Sequence, residues 1–206
     1  MGLLATACLP VAELQSARLA GPGVVEVTPG YAASRYTNYG RSASYAHHGA
    51  LLVATGLTRT VDLRLHAEYV RSPRYVIDGD TVKIDYLAVG LGPKFSCIPG
   101  RLAIYVPLGF GIGGSLNALS WQLHPTLIGT LPLSAGVEVN ASAKLLIWLD
   151  GRDGVAGVSG MANLGLGMSS DLARWAIRPE IGVSNLDSHV ALHGALGVTY
   201  YFGAKR

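Results

Sequence analysis

The chain of 206 residues is half apolar but only 14% charged, carries a net charge of +3 and contains 27 glycines, against a charged fraction of about 25% in soluble domains. Its mean hydropathy is +0.34, yet Gly, Pro or a charge interrupts every stretch before the roughly 18 to 20 apolar residues that a membrane helix requires. A helical membrane protein is therefore excluded, and so small a net charge without a basic run argues against a nucleic-acid partner. What remains is a chain whose apolar residues are spread over alternate positions, as in a β-barrel.

The opening MGLLATACLPVAELQSARLAGPG begins with an apolar run that ends in small residues and Cys8, then continues as a polar spacer containing Gly and Pro. Ala5-Thr6-Ala7-Cys8 is similar to the end of a bacterial lipoprotein signal, which implies lipidation at Cys8, although the charged start of an export signal is absent. An ordinary apolar cysteine in a leader accounts for Cys8 equally well. Residues 1–22 are thus expected to be a signal remnant, or leader, and spacer, and residues 23–203 the barrel. Cys8 and Cys97 do not by themselves establish a disulfide.

From Val24 the strands follow one another. Val25, Val27, Pro29, Tyr31 and Ala33 oppose Glu26, Thr28 and Gly30; Ser34 to Ala43 reads as a polar loop. A second strand spans roughly Ser44 to Thr55, with His47 and His48 expected as polar surface near its start. The third, Thr60 to Tyr69, alternates without a fault: Val61, Leu63, Leu65, Ala67 and Tyr69 on one face, Thr60, Asp62, Arg64, His66 and Glu68 on the other. Arg71 to Thr81 is expected to be a loop, with Pro73 and Asp78-Gly79 as turn residues. The fourth strand, about Val82 to Lys94, starts with Lys83 and Asp85 opposite Val82, Ile84 and Tyr86.

Arg101 to Ile112 sets Leu102, Ile104, Val106, Leu108, Phe110 and Ile112 against a row containing Arg101 and Pro107, and the proline predicts a bulge or an unpaired point. Trp121 to Leu131 carries Gln122, His124, Thr126 and Thr130 on its polar face. The alternation from Leu133 to Leu149 includes Glu138 and Lys144. After the loop around Asp150 to Gly154 come three further strands: Val158 to Met168, Trp175 to Ser184 with Arg178 and Glu180, and His189 to Phe202 with His193. The expectation is an all-β, transmembrane, antiparallel up-and-down barrel of about ten strands, with eight or twelve left open.

Polar rows in a soluble sandwich would be rich in Lys and Glu; here they are sparse and dominated by Gly, Ser, Thr and Ala, which suits a narrow interior. Trp121, Trp148, Trp175, Tyr31, Tyr69, Tyr86, Tyr200 and Phe202 lie near strand ends, as interfacial girdles do, although Trp148 falls on the inward row. The terminal strand, with Gly197 followed by Tyr200 and Phe202, resembles the signal by which outer-membrane barrels are recognised for insertion. The chain from about Ser16 also resembles small uncharacterised outer-membrane β-barrel proteins of Gram-negative bacteria, most in LAVGLGPKFS, HPTL and WAIRPEIG. That resemblance implies an outer-membrane location, contact with its lipid and handling by the barrel-assembly machinery; it implies no activity and no oligomeric state.

The expected luminal network is Asp62, Glu68, Asp85, Glu138 and Glu180 with Arg64, Lys83, Arg101, Lys144 and Arg178, joined by His66 and His124. Its balanced signs suggest paired charges that fill the lumen, hence a structural barrel or a narrow pore for small solutes. An outer-membrane hydrolase acting on lipid or peptide is the second reading, with His66 beside Glu68, His124, and His189 with His193 as its material; no catalytic constellation stands out. A soluble lipocalin-like carrier is the third. No spacing supports a metal site, and no cofactor is implied: GFGIGG, Gly109 to Gly114, ends a strand and opens no helix.

Overall fold

The computed structural model describes residues 10–38, 41–77, 80–113, 120–149, 158–186 and 189–203, with the side chains of 36–38, 41–44, 72–77, 80–84, 186 and 189 set aside. Among the described residues there is no helix. Twelve strands form one closed antiparallel sheet: β1 (Val25–Asn38), β2 (Arg41–Gly56), β3 (Val61–Ile77), β4 (Asp80–Ile98), β5 (Leu102–Tyr105), β6 (Leu108–Gly113), β7 (Ser120–Leu123), β8 (Thr126–Pro132), β9 (Val137–Trp148), β10 (Val158–Met168), β11 (Trp175–Leu186) and β12 (His189–Phe202). Two pairs of these are halves of one stave. β5 and β6 both pair with β4 and are parted at Val106-Pro107; β7 and β8 both pair with β9 and are parted at His124-Pro125. A proline lacks the N–H that the ladder needs, so each break falls on one. Counted as staves, the wall has the ten strands expected, and β1 closes it against β12 from Val25–Phe202 to Thr37–Val190.

Two expected loops are strand instead. Arg35 to Asn38 continues β1 against β2, and Arg71 to Ile77 continues β3 against β4 past a register shift between Arg71 and Arg74. With 17 and 19 residues, β3 and β4 exceed the roughly 9 to 11 residues that cross a bilayer. The ladder therefore continues beyond the lipid-facing band, where polar side chains no longer report which face is buried.

The rows sort by solvent as a membrane barrel requires. Leu51, Leu91, Leu108, Leu127, Leu145, Leu164, Ile181, Leu192 and Leu196 are exposed on the outside, while Glu26, Asp62, Arg64, Glu68, Lys94, Glu138, Lys144 and Arg178 are buried within. An apolar outer surface on every stave can be satisfied only by lipid. The soluble-carrier reading is overturned by this polarity, because a lipocalin-like barrel lines its cavity with the apolar row. Tyr31, Tyr69, Trp121, Tyr200 and Phe202 stand on the outer face. Tyr86 does not: it is buried inside, against Gly111, with its hydroxyl 2.5 Å from Gln122 Nε2.

The interior is closed by the chain itself. Residues 10–20, expected to be part of a spacer, lie inside the barrel and are almost wholly buried, with neither helix nor strand. Val11, Ala12 and Leu14 pack with Ala32, Ala50, Leu52, Leu146 and Met161, and Trp148 lies against that cluster; Ala17 packs with Ala103, Tyr105 and Ile128. The chain leaves the lumen through Gly21 to Gly23, where Pro22 bridges to Gly56. The physical reason is volume: a ten-strand lumen whose charged rows are interspersed with alanine and glycine is too wide for its own wall side chains to fill.

Candidate functional site: a peptide-filled lumen

The inward face of β3 supplies Asp62, Arg64, His66 and Glu68 in one row because side chains alternate along a strand. Glu68, fully buried, accepts the main-chain N–H of Val11 on Oε1 at 2.9 Å and that of Ala12 on Oε2 at 3.2 Å. Its two oxygens also meet His48 Nδ1 at 2.7 Å and His66 Nε2 at 3.2 Å. Glu180, across the lumen on β11, takes the next two N–H groups, from Glu13 at 2.8 Å and Leu14 at 2.9 Å. Successive amides aimed at one carboxylate form an anion-binding nest. Leu14 has φ of 45°, a left-handed conformation that costs a non-glycine residue about 1 kcal/mol or more.

The remaining contacts continue along the segment. Lys144 pairs with Glu13 at 2.7 Å and reaches Pro10 O at 3.3 Å. Lys94 donates to the carbonyls of Ser16 and, at 3.0 Å, of Arg18. Asn163 donates to Val11 O at 3.1 Å and to Glu180 Oε1 at 3.1 Å. Thr130 Oγ1 accepts from Ala17 N at 2.7 Å, and Asp62 from Ala20 N at 2.8 Å. Arg18 meets Glu138 at 2.9 Å, on the carboxylate that Arg178 holds at 3.0 Å. Wall-to-wall pairing completes the set: Arg64 grips Glu26 through both nitrogens at 3.1 and 2.7 Å, a bidentate geometry that outlasts a single contact.

Of the expected luminal residues, Asp62, Arg64, His66, Glu68, His124, Glu138, Lys144, Arg178 and Glu180 are all buried inside. The His124 ring meets Gln122, with Nε2 3.0 Å from Oε1. Arg101 is corrected: it is exposed in the turn before β5, because the sheet begins one residue later, at Leu102. Asp85 is corrected as well. It shares the outward row with Leu87 and Leu91, while Tyr86, Ala88 and the fully buried Lys94 face inward. The run from Leu87 to Pro93 is small or apolar on both faces, so only the buried lysine at its end reveals the register. The side chains of Lys83 and His189, and the whole of Cys8, lie outside the described residues.

The sequence reading missed Glu26, Ser34, His48, Lys94, Asn163 and the luminal part of the leader. His48 is not surface: it is fully buried, whereas His47 points outward with Nδ1 2.5 Å from Tyr31 Oη. His48 Nε2 lies 2.8 Å from Ser34 Oγ. Ser34, His48 and Glu68, on three adjacent strands, thus form a hydroxyl, imidazole and carboxylate in line, with all three buried. Period-two rows on β1 and β2 place both residues inward, which was the available signal. Gly197 faces inward and is buried, while Tyr200 and Phe202 are exposed outside.

An apolar outer face, a buried polar lumen and ten antiparallel staves define a transmembrane β-barrel of the bacterial outer-membrane type. Solved structures of that type are similar in fold. The COG4313 outer-membrane channel of Pseudomonas putida F1 has a TM-score of 0.52 at 10% identity, covering 88% of this chain and 96% of that one. The translocator domain of the autotransporter NalP from Neisseria meningitidis has 0.49 at 14% identity, covering 88% and 89%, and OprG from Pseudomonas aeruginosa 0.43 at 12%, covering 92% and 100%. No protein-family model matches the chain, and no curated protein matches it in sequence.

Proposed function

We propose that this protein is an outer-membrane barrel of structural or narrow small-solute type, held shut by its own N-terminal segment. The observation that carries the reading is the series of buried bonds from the main chain of residues 11–20 to Glu68, Glu180, Thr130 and Asp62. Charges withdrawn from water persist only when paired, and here the segment supplies the donors that the wall carboxylates need. Lipid of the outer membrane surrounds the apolar face, and the outward Tyr200 and Phe202 of the last strand present the signal read by the assembly machinery. In planar bilayers the full chain is expected to stay silent or to show only brief, small openings. Steady conductance of general-porin size would overturn the closed lumen.

A second reading, an outer-membrane hydrolase acting on lipid or peptide, is favoured by one arrangement: Ser34, His48 and Glu68. In it His48 Nε2 takes the proton as Ser34 Oγ attacks an ester or amide carbonyl, Glu68 steadies the imidazolium, and the proton passes to the departing alcohol or amine before water releases the acyl group. Access requires the segment to leave, since Glu68 is shared with Val11 and Ala12. A fluorophosphonate probe would label Ser34 in the folded protein once the segment is displaced, and Ser34→Ala would abolish the label. Failure to label, with the segment seated or displaced, would sink the hydrolase.

A further inference from the structure

The wall does more than tolerate the segment; it carries a negative of it. Gly30 on β1 and Gly197 on β12 are register partners, and both leave room for one side chain. A Cβ on Gly197 would stand 2.9 Å from Leu14 Cδ1, and a Cβ on Gly30 would collide with the same atom. Leu14 therefore sits in a notch cut into the inner wall by a facing pair of glycines. Gly56 opens a second gap, where any side chain would strike the Gly21 backbone. Beside the notch, Lys144 reads the carboxylate of Glu13, and Glu180 reads the two amides that flank it. Elsewhere the wall binds the segment mostly through its main chain, from Glu68 to Val11 and Ala12 and from Lys94 to Ser16 and Arg18, with Glu138 holding the Arg18 side chain.

From this we infer that the lumen is a peptide receptor, selective for a non-helical segment bearing an acidic residue followed by leucine, and that its covalent occupant is exchangeable for such a peptide supplied in trans. The inference rests on the reading of the segment as the closure of the barrel. Main-chain recognition sets the path of the ligand, and the side-chain contacts at Glu13 and Leu14, with the Arg18–Glu138 pair beyond them, set its sequence. A wall that merely needed filling would use larger residues at 30 and 197; a facing pair of glycines, one buried and one half-buried, opposite one leucine is a binding pocket.

The test uses the full chain, folded and then cut. A site-specific protease sequence placed at Gly21 to Gly23, where Pro22 and Gly23 are exposed, would convert the segment into a noncovalent ligand without disturbing assembly. Fluorescent peptide with the sequence of residues 10–20 should then replace the cut fragment, saturating at one per barrel. Peptide carrying Leu14→Ala should bind at least about thirtyfold more weakly, the loss expected for truncating a buried leucine. Peptide carrying Glu13→Lys, which sets two cations together at Lys144, should bind about tenfold more weakly or worse. Gly30→Val in the wall should abolish exchange. The inference is overturned if the emptied barrel, still folded by circular dichroism, takes up no peptide, or if a scrambled peptide competes equally. Conductance of the uncut chain separates the two failures: a silent uncut barrel that ignores peptide refutes the receptor alone, whereas a conducting one refutes the closure beneath it.

Discussion

Deletion of residues 10–20 is expected to turn a silent barrel into a conducting one and to lower its stability by on the order of 5 kcal/mol. Five main-chain N–H groups, those of Val11, Ala12, Glu13, Leu14 and Ala20, end on wall carboxylates. A hydrogen bond to a charged group contributes about 1.5 to 3 kcal/mol, but the sum is not additive, because water entering the emptied lumen resolvates Glu68, Glu180 and Asp62. Lys144 would also lose Glu13. Trp148 reports the event directly: it packs against the cluster containing Val11, Ala12 and Leu14, so its emission should shift red in the folded deletion variant. Urea titration and planar-bilayer recording measure the two effects. An unchanged midpoint together with continued silence would show that the segment neither supports nor closes the barrel.

Glu68→Ala is expected to be the most damaging single change in the lumen, costing about 3 to 5 kcal/mol, as breaking a buried charged network does. Four donors converge on that carboxylate: two amides of the segment, His48 and His66. Removing it leaves all four buried around a cavity. Glu68→Gln should cost less, because its carbonyl oxygen still accepts from one segment amide and one imidazole, while its NH2 opposes only the other amide and the other imidazole. Leu164→Ala, on the lipid face, serves as the comparison, since Leu164 is exposed outside and its loss opens no void. Equal urea midpoints for Glu68→Ala and Leu164→Ala would remove Glu68 from the centre of the network.

The architecture was legible because a barrel wall is a local code. Each strand declares its two faces every second residue, so Asp62, Arg64, His66 and Glu68 could be set on one side of β3, and Pro107 could be marked as a break, from the sequence alone. Legibility failed where both rows carry the same character. Leu87 to Pro93 is small or apolar on both faces, which hid Lys94 as the inward cation and put Asp85 on the wrong side. It failed also at strand ends, where Arg101 has the right parity but lies outside the sheet.

The segment 10–20 shows the larger limit. Val11, Glu13, Leu14, Gln15 and Arg18 follow no strand alternation, and as an isolated peptide they read as a spacer. Their burial depends on a lumen that exists only after ten strands have closed, and their partners lie as far off in sequence as Glu180, 167 residues from Glu13. The same holds for Ser34, His48 and Glu68, which adjacent strands bring into line only once register is set. The sequence by itself determined strand alternation, the membrane class and most of the inward charges, because these depend on neighbours two residues apart. Only the tertiary structure decided what fills the barrel, because the partners of a luminal side chain are chosen by closure of the sheet and by the volume left inside it.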